Sequence, residues 1–192
     1  LVASAGKYLI HLSTDFVFGD DGEVPLTEAM PPNPLNVYGA SKLAGEQALA
    51  ESGCRHAVLR VEWTYGRHGS HFIDKILAAA KVRPELRVVA DQFGAPTWTR
   101  DVARALLRLA ALRSEGCYHF AATGYASRYE VARFILAEKG LATPVVPCRS
   151  EDFPSPALRP RNSRFDCRRI DALLKIPRPA WQDSLREFLA NR

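Results

Sequence analysis

Val37-Tyr38-Gly39-Ala40-Ser41-Lys42-Leu43-Ala44-Gly45-Glu46, residues 37–46 of a 192-residue chain, sets a phenol and an ammonium four positions apart. On a helix that spacing puts both side chains on one face. A free phenol keeps its proton up to about pH 10, and a nearby cation favours the phenolate. Such a pair can pass a proton to or from an oxygen on a carbonyl or alcohol carbon. The spacing alone is weak evidence, because chance supplies it readily. Its weight comes from the residues around it.

Upstream, Tyr8-Leu9-Ile10-His11-Leu12-Ser13 is an apolar run of strand length, and a turn-rich segment from Gly19 to Asn36 follows it. Helical periodicity then covers residues 37–52, with Leu43, Gln47 and Ala50 on one face and Gly53 as the stop. Downstream, strand-like and helix-like stretches alternate. Residues 57–61, 86–90 and 117–120 read as strands, with residues 144–147 as a brief extended piece. Residues 72–80 and the stretch after Thr99, taken as a cap, read as helices, as does the stretch after the capping box Ser127/Glu130. A Pro- and Arg-rich loop, residues 154–162, leads to two short helices around 170–174 and 181–189. Alternation of this kind predicts an α/β fold with a parallel sheet.

Composition narrows the class. With 47% apolar and 24% charged residues the chain is of ordinary globular make-up. It shows no apolar run of membrane-spanning length and no signal-peptide pattern, so a cytoplasmic protein with no membrane partner is expected. The net charge of +5 is spread along the chain without a basic run, so no nucleic-acid partner is expected. Cys54, Cys117, Cys148 and Cys167 are scattered, and the five histidines have no ligand spacing; no metal is expected.

Ser13-Thr14-Asp15 closes the first strand. Ligands bind at the carboxyl ends of strands in open α/β sheets, so these side chains are either placed for a site or form a plain turn. Trp63, just past the second strand, is either a flat face for a sugar ring or a core tryptophan. The loop from Asp91 to Thr97, with Gln92, Gly94 and Pro96, is either part of a site or a structural turn.

Three ordered motifs, Leu12-Ser13-Thr14-Asp15-Phe16-Val17-Phe18, Pro34-Leu35-Asn36-Val37-Tyr38-Gly39 and Ser41-Lys42-Leu43-Ala44-Gly45-Glu46, resemble the dTDP-4-dehydrorhamnose reductase group of extended short-chain dehydrogenases/reductases. Leu59-Arg60 with Trp63 and Tyr65-Gly66, the stretch 91–97, Tyr118-His119-Phe120, and Arg159-Pro160 with Asn162-Ser163 extend the resemblance over residues 8–190. It implies an incomplete Rossmann-like doubly wound parallel sheet with a small α/β C-terminal substrate-binding region. Residues 1–90 would carry part of the cofactor domain, and residues 91–192 would mainly bind substrate, interleaved with the first.

The implied activity is NADPH- or NADH-dependent reduction of the C4 keto group of a nucleotide-linked 6-deoxysugar. By the same resemblance Tyr38 is the acid/base, Lys42 binds the nicotinamide ribose and tunes Tyr38, and Thr14 hydrogen-bonds the reacting oxygen. Ser13 is placed with the cofactor, and Asp15, Trp63, Gln92, Gly94, Pro96 and Thr97 with the substrate. Arg159 is expected to face a diphosphate, and Arg161 is expected at the surface. A homodimer, a regulatory module like that of methionine adenosyltransferase, and another nucleotide-sugar reductase or epimerase stay open.

The chain departs from the group's pattern in two places. It has no Gly-x-x-Gly-x-x-Gly, so roughly the first 80 to 100 residues of a whole dinucleotide-binding domain are expected to be absent, with weak cofactor binding as the result. Val61 and Glu62 stand before Trp63 where small or hydroxyl residues are usual, which leaves the exact sugar open.

Overall fold

A computed structural model describes residues 2–20, 22–153 and 156–192. Leu1, Asp21 of the turn-rich segment, and Pro154 and Ser155 of the Pro- and Arg-rich loop lie outside the described residues. In chain order the elements are β1 (Tyr8–Thr14), α1 (Val37–Glu51), β2 (Arg55–Val61), β3 (Thr64–Tyr65), α2 (Phe72–Ala80), β4 (Leu86–Val89), β5 (Phe93–Gly94) and β6 (Thr97–Trp98). They continue with α3 (Thr99–Leu112), β7 (Gly116–Phe120), β8 (Ala126–Ser127), α4 (Arg128–Glu138), β9 (Val145–Cys148), α5 (Arg168–Leu174) and α6 (Trp181–Ala190).

The expected parallel sheet is present: β1, β2 and β7 form an open α/β sheet in the order β1-β2-β7, with Leu12 opposite Leu59 and Leu59 opposite Tyr118. The central strand β2 is buried from Ala57 through Arg60, as its apolar run requires. Parallel neighbours need crossovers, and α1 supplies the one between β1 and β2. Leu43 of α1, Leu106 of α3 and Ile170 of α5 meet around this sheet in one apolar cluster. A second cluster gathers α2, β4, α4 and α6 around Ile73, Ile135 and Leu185. Each cluster draws residues from both sides of position 90.

A polar core ties α1 to the sheet. Arg60 donates from Nε to Glu46 Oε1 at 3.0 Å and from Nη2 to Glu46 Oε2 at 2.6 Å. Its Nη1 lies 3.4 Å from His119 Nε2 on β7, and His119 Nδ1 lies 3.0 Å from the Leu26 carbonyl. Nδ1 therefore carries the proton and Nε2 accepts from Arg60. His119 is fully buried, and burial with the adjacent Arg60 charge drives its pKa down to about 3.

Several sequence expectations need correction. The inward face of α1 is Gly39, Leu43 and Glu46, whereas Gln47 and Ala50 are exposed; the ion pair with Arg60 turns Glu46 inward. Thr99 does not cap α3: the cap position is Trp98, without a side-chain bond, and the Thr99 side chain packs against Gly66. The stretch 91–98 contains β5 and β6, each two residues long, and residues 145–148 pair with β4. The Ser127/Glu130 capping box is present, with Glu130 N donating to Ser127 Oγ at 3.1 Å and Ser127 N donating to Glu130 Oε2 at 2.7 Å.

Candidate active site

Thr14 ends β1, and the chain turns there into a short 3-10 segment, Asp15–Val17. The Thr14 hydroxyl accepts from Phe16 N at 3.3 Å and donates to Asp15 Oδ1 at 2.9 Å. The Phe16 ring meets the Tyr38 ring edge-on with centroids 5.8 Å apart. Phe16 thus joins the threonine to the tyrosine through its amide on one side and its ring on the other.

Local chemistry places Tyr38 at the start of α1. Asn36 caps the helix by accepting from Gly39 N at 2.8 Å. A Cβ on Gly39 would lie 2.0 Å from the Phe16 carbonyl oxygen, so only glycine lets the first turn of α1 come this near. Tyr38 is 55% exposed, which leaves its hydroxyl open to a ligand. Lys42, one turn later, donates from Nζ to the Leu12 carbonyl. Ser13 Oγ is buried and, among the described residues, has no hydrogen-bond partner.

A cleft of about 1190 Å³ has Trp63, Gln92, Pro96, Arg128, Arg159 and Arg161 among its lining residues, whereas Thr14, Tyr38 and Lys42 do not line it. Of the predicted substrate residues it therefore holds Trp63, Gln92 and Pro96. Gln92 donates to Ser150 Oγ at 3.0 Å. Arg161, expected at the surface, lines the cleft while pairing with Glu151 at 2.9 Å.

Gly94 and Thr97 sit behind the cleft wall. A Cβ on Gly94 would meet Glu62 Oε2 at 2.5 Å and the Trp63 ring at 2.7 Å, so this glycine lets the loop lie against the tryptophan. Thr97 is fully buried; its hydroxyl donates to the Ala95 carbonyl at 2.9 Å and accepts from Ala122 N at 3.2 Å. It fixes the loop and does not face the cleft. Trp63 takes a φ of 44°, the left-handed region that costs a bulky residue strain and that clusters at functional sites.

Two buried carboxyls lie beneath. Asp15 is 3% exposed and accepts from Ser163 Oγ at 2.5 Å as well as from Thr14. Burial raises its pKa against the lowering pull of those hydroxyls and of Arg128. Glu62 is fully buried, accepting from Ala95 N at 2.8 Å and Phe165 N at 3.4 Å; burial, joined by the Asp15 charge, pushes its carboxyl well above the usual range. Sequence reasoning assigned no role to Glu62, Ser163 or Arg128. Glu62 has a local signal, as an acid following an apolar strand, whereas Arg128, in the first turn of a helix, has none.

The RmlD substrate binding domain model matches residues 1–192. The chain belongs to that family. The spore coat polysaccharide biosynthesis protein SpsK of Bacillus subtilis is 37% identical over 187 residues, covering 97% of this chain and 65% of that protein. The dTDP-4-dehydrorhamnose reductase of Escherichia coli K12 is 36% identical over 197 residues, 96% of this chain and 65% of that protein. A solved structure of dTDP-4-dehydrorhamnose reductase from Bacillus anthracis in complex with NADP superposes with a TM-score of 0.93 at 33% identity, over 98% of this chain and 67% of that one. The chain thus spans about two thirds of the length of these RmlD-family relatives. Among the described residues no helix is long and apolar enough to cross a membrane, and no cluster of His, Cys, Asp or Glu could hold a metal ion.

Proposed function

We propose that the chain is the catalytic and substrate-binding part of a reductase that converts the C4 ketone of a nucleotide-linked 6-deoxysugar, dTDP-4-dehydrorhamnose in the first instance, to the alcohol. The observation that carries this reading is the Thr14–Phe16–Tyr38 corner, where an exposed phenol and a strand-end hydroxyl are held by one residue, with Lys42 a turn away on α1. The names of the relatives and their shared family support it.

The residues present suit a nicotinamide. Ser13 offers an unpartnered buried hydroxyl at the carboxyl end of β1, and Lys42 offers an ammonium beside it for ribose hydroxyls. NADPH, when bound, supplies the hydride. Tyr38 protonates the sugar oxygen as negative charge develops there. Thr14 supplies a second donor to that oxygen. Its single proton points to Asp15. With Asp15 protonated the bond reverses, Asp15 donating to Thr14 and freeing the threonine proton for the substrate. The raised Asp15 pKa favours that arrangement. We place the activity in the cytoplasm, with a homodimer as the form to look for.

The test is oxidation of NADPH by the full-length protein in the presence of dTDP-4-dehydrorhamnose. Substrate-dependent oxidation should fall about 10²- to 10⁴-fold in Tyr38→Phe. A wild-type protein that oxidises no NADPH above background with this substrate class refutes the reading.

A further inference from the structure

Arg128 lines the cleft, and among the described residues its guanidinium has no hydrogen-bonding partner. Arg128 opens α4, its amide donating to the Gln92 carbonyl at 3.3 Å. Its guanidinium lies 3.4 Å over the centre of the Trp63 ring and 5.2 Å from that of Phe72. A guanidinium has five N–H donors, and among the described residues none of those on Arg128 meets a protein acceptor. Burial lowers its pKa to about 10 even though Asp15 and Glu62 pull the other way. Arg161 and Arg87, by contrast, also line the cleft but pair with Glu151 at 2.9 Å and Asp152 at 3.3 Å. A half-buried, unfilled donor fork lining a large cleft is a place for ligand oxygens.

Its position indicates which oxygens. Asp15 follows Thr14 in the chain and Glu62 precedes Trp63, so Arg128 stands at the Thr14 end of the site with two buried carboxyls acting on it. On the reading above Thr14 meets the reacting C4 oxygen, and a nucleotide-linked hexose carries its diphosphate on C1 across the ring, so a donor at the Thr14 end meets sugar oxygens first. Lys75 and Arg83, which line the cleft from α2 and the turn after it, remain for the phosphates.

We propose that Arg128 is a specificity-determining residue of the sugar subsite, its guanidinium held flat on Trp63 and its N–H fork donating to adjacent oxygens of the hexose. This rests on the nucleotide-sugar reading above. The hexose meets the N–H edge of a guanidinium instead of a bare indole face, because Arg128 already covers Trp63. Two parallel donors suit two neighbouring acceptors, so the site selects hexoses with vicinal hydroxyl or keto oxygens.

Calorimetric titration of the full-length protein with dTDP and with dTDP-glucose tests this, using wild type, Arg128→Met and Arg128→Lys. The lysine variant keeps a charge beside Asp15 and Glu62 if the methionine variant fails to fold, and thermal melting reports which variants are folded. Both variants should bind dTDP-glucose about 10- to 100-fold more weakly, the worth of one charge-assisted hydrogen bond, while binding dTDP as wild type does. Equal weakening for both ligands would assign Arg128 to the diphosphate and overturn the proposal, as would no change for either. Failure of the wild type to bind both ligands has a different signature and overturns the nucleotide-sugar reading itself.

Discussion

Gly39 faces the carbonyl of Phe16 so closely that a methyl group on its Cα would lie 2.0 Å from the oxygen. The obstacle is backbone, which cannot rotate away as a side-chain tip can. Gly39→Ala should therefore lift the first turn of α1, at a cost of about 1–3 kcal/mol as an overpacked contact. Tyr38 moves with that turn. Urea denaturation checks the stability change, and reductase activity of the full-length variant should fall more than the lost folded fraction accounts for.

The Arg60–Glu46 pair is buried, with side chains 6% and 9% exposed. Removing one charge strands the other, so Glu46→Gln should destabilise the fold by about 3–5 kcal/mol. The double variant Arg60→Met/Glu46→Leu should recover most of that loss, because no charge remains buried. Denaturation midpoints of the single and double variants decide the point; equal losses in the two would show that volume, not charge, is at stake.

His119 makes the protein acid-sensitive. Its folded pKa of about 3 lies below the unfolded value near 6.5, so only the unfolded chain takes up a proton between them. Stability from this group is whole above pH 6.5 and is lost as pH falls toward 3, by about 2 kcal/mol between pH 7 and pH 5. His119→Gln, which keeps a donor and an acceptor, should remove that component. Melting temperatures at the two pH values measure it.

Glu62 works in the opposite direction. Its folded pKa is raised well above the unfolded carboxylate value near 4.3, so the folded chain holds a proton that the unfolded chain has released. Its contribution therefore falls as pH rises from about 4.3 toward the folded pKa, and acidification through that window restores it. Glu62→Gln should steepen the acid loss caused by His119, and in His119→Gln stability should rise as pH falls from 7 to 5. A Glu62→Gln profile parallel to wild type between pH 5 and 7 would show that Glu62 is ionised in the fold.

Local patterns made most of the architecture readable. Apolar runs of strand length located β1, β2 and β7, and helical periodicity located the helices. The two-residue strands β5 and β6 were unreadable, since two residues carry no period and their partners come from residues 126–127 and 64–65. The face of α1 was misread because the residue that turns inward is an acid, and its reason for doing so is Arg60, 14 positions away. In the site, Tyr38, Lys42 and Thr14 were legible as ordered motifs. The Asp15–Glu62–Arg128 cluster was not, as three chain segments far apart in sequence meet only in the fold.

The helix that carries Tyr38 has little sidedness; its seat is set by Gly39 on the Phe16 carbonyl and Glu46 in the fork of Arg60. With Leu43 in the apolar cluster, these anchors hold the inner side of the helix and leave its outer side free. Its outer positions, such as Ala48 and Glu51, are exposed and can change in composition and charge while the phenol stays where it is. Sequence drift, solubility engineering or a label can be directed to that outer surface without retuning the chemistry.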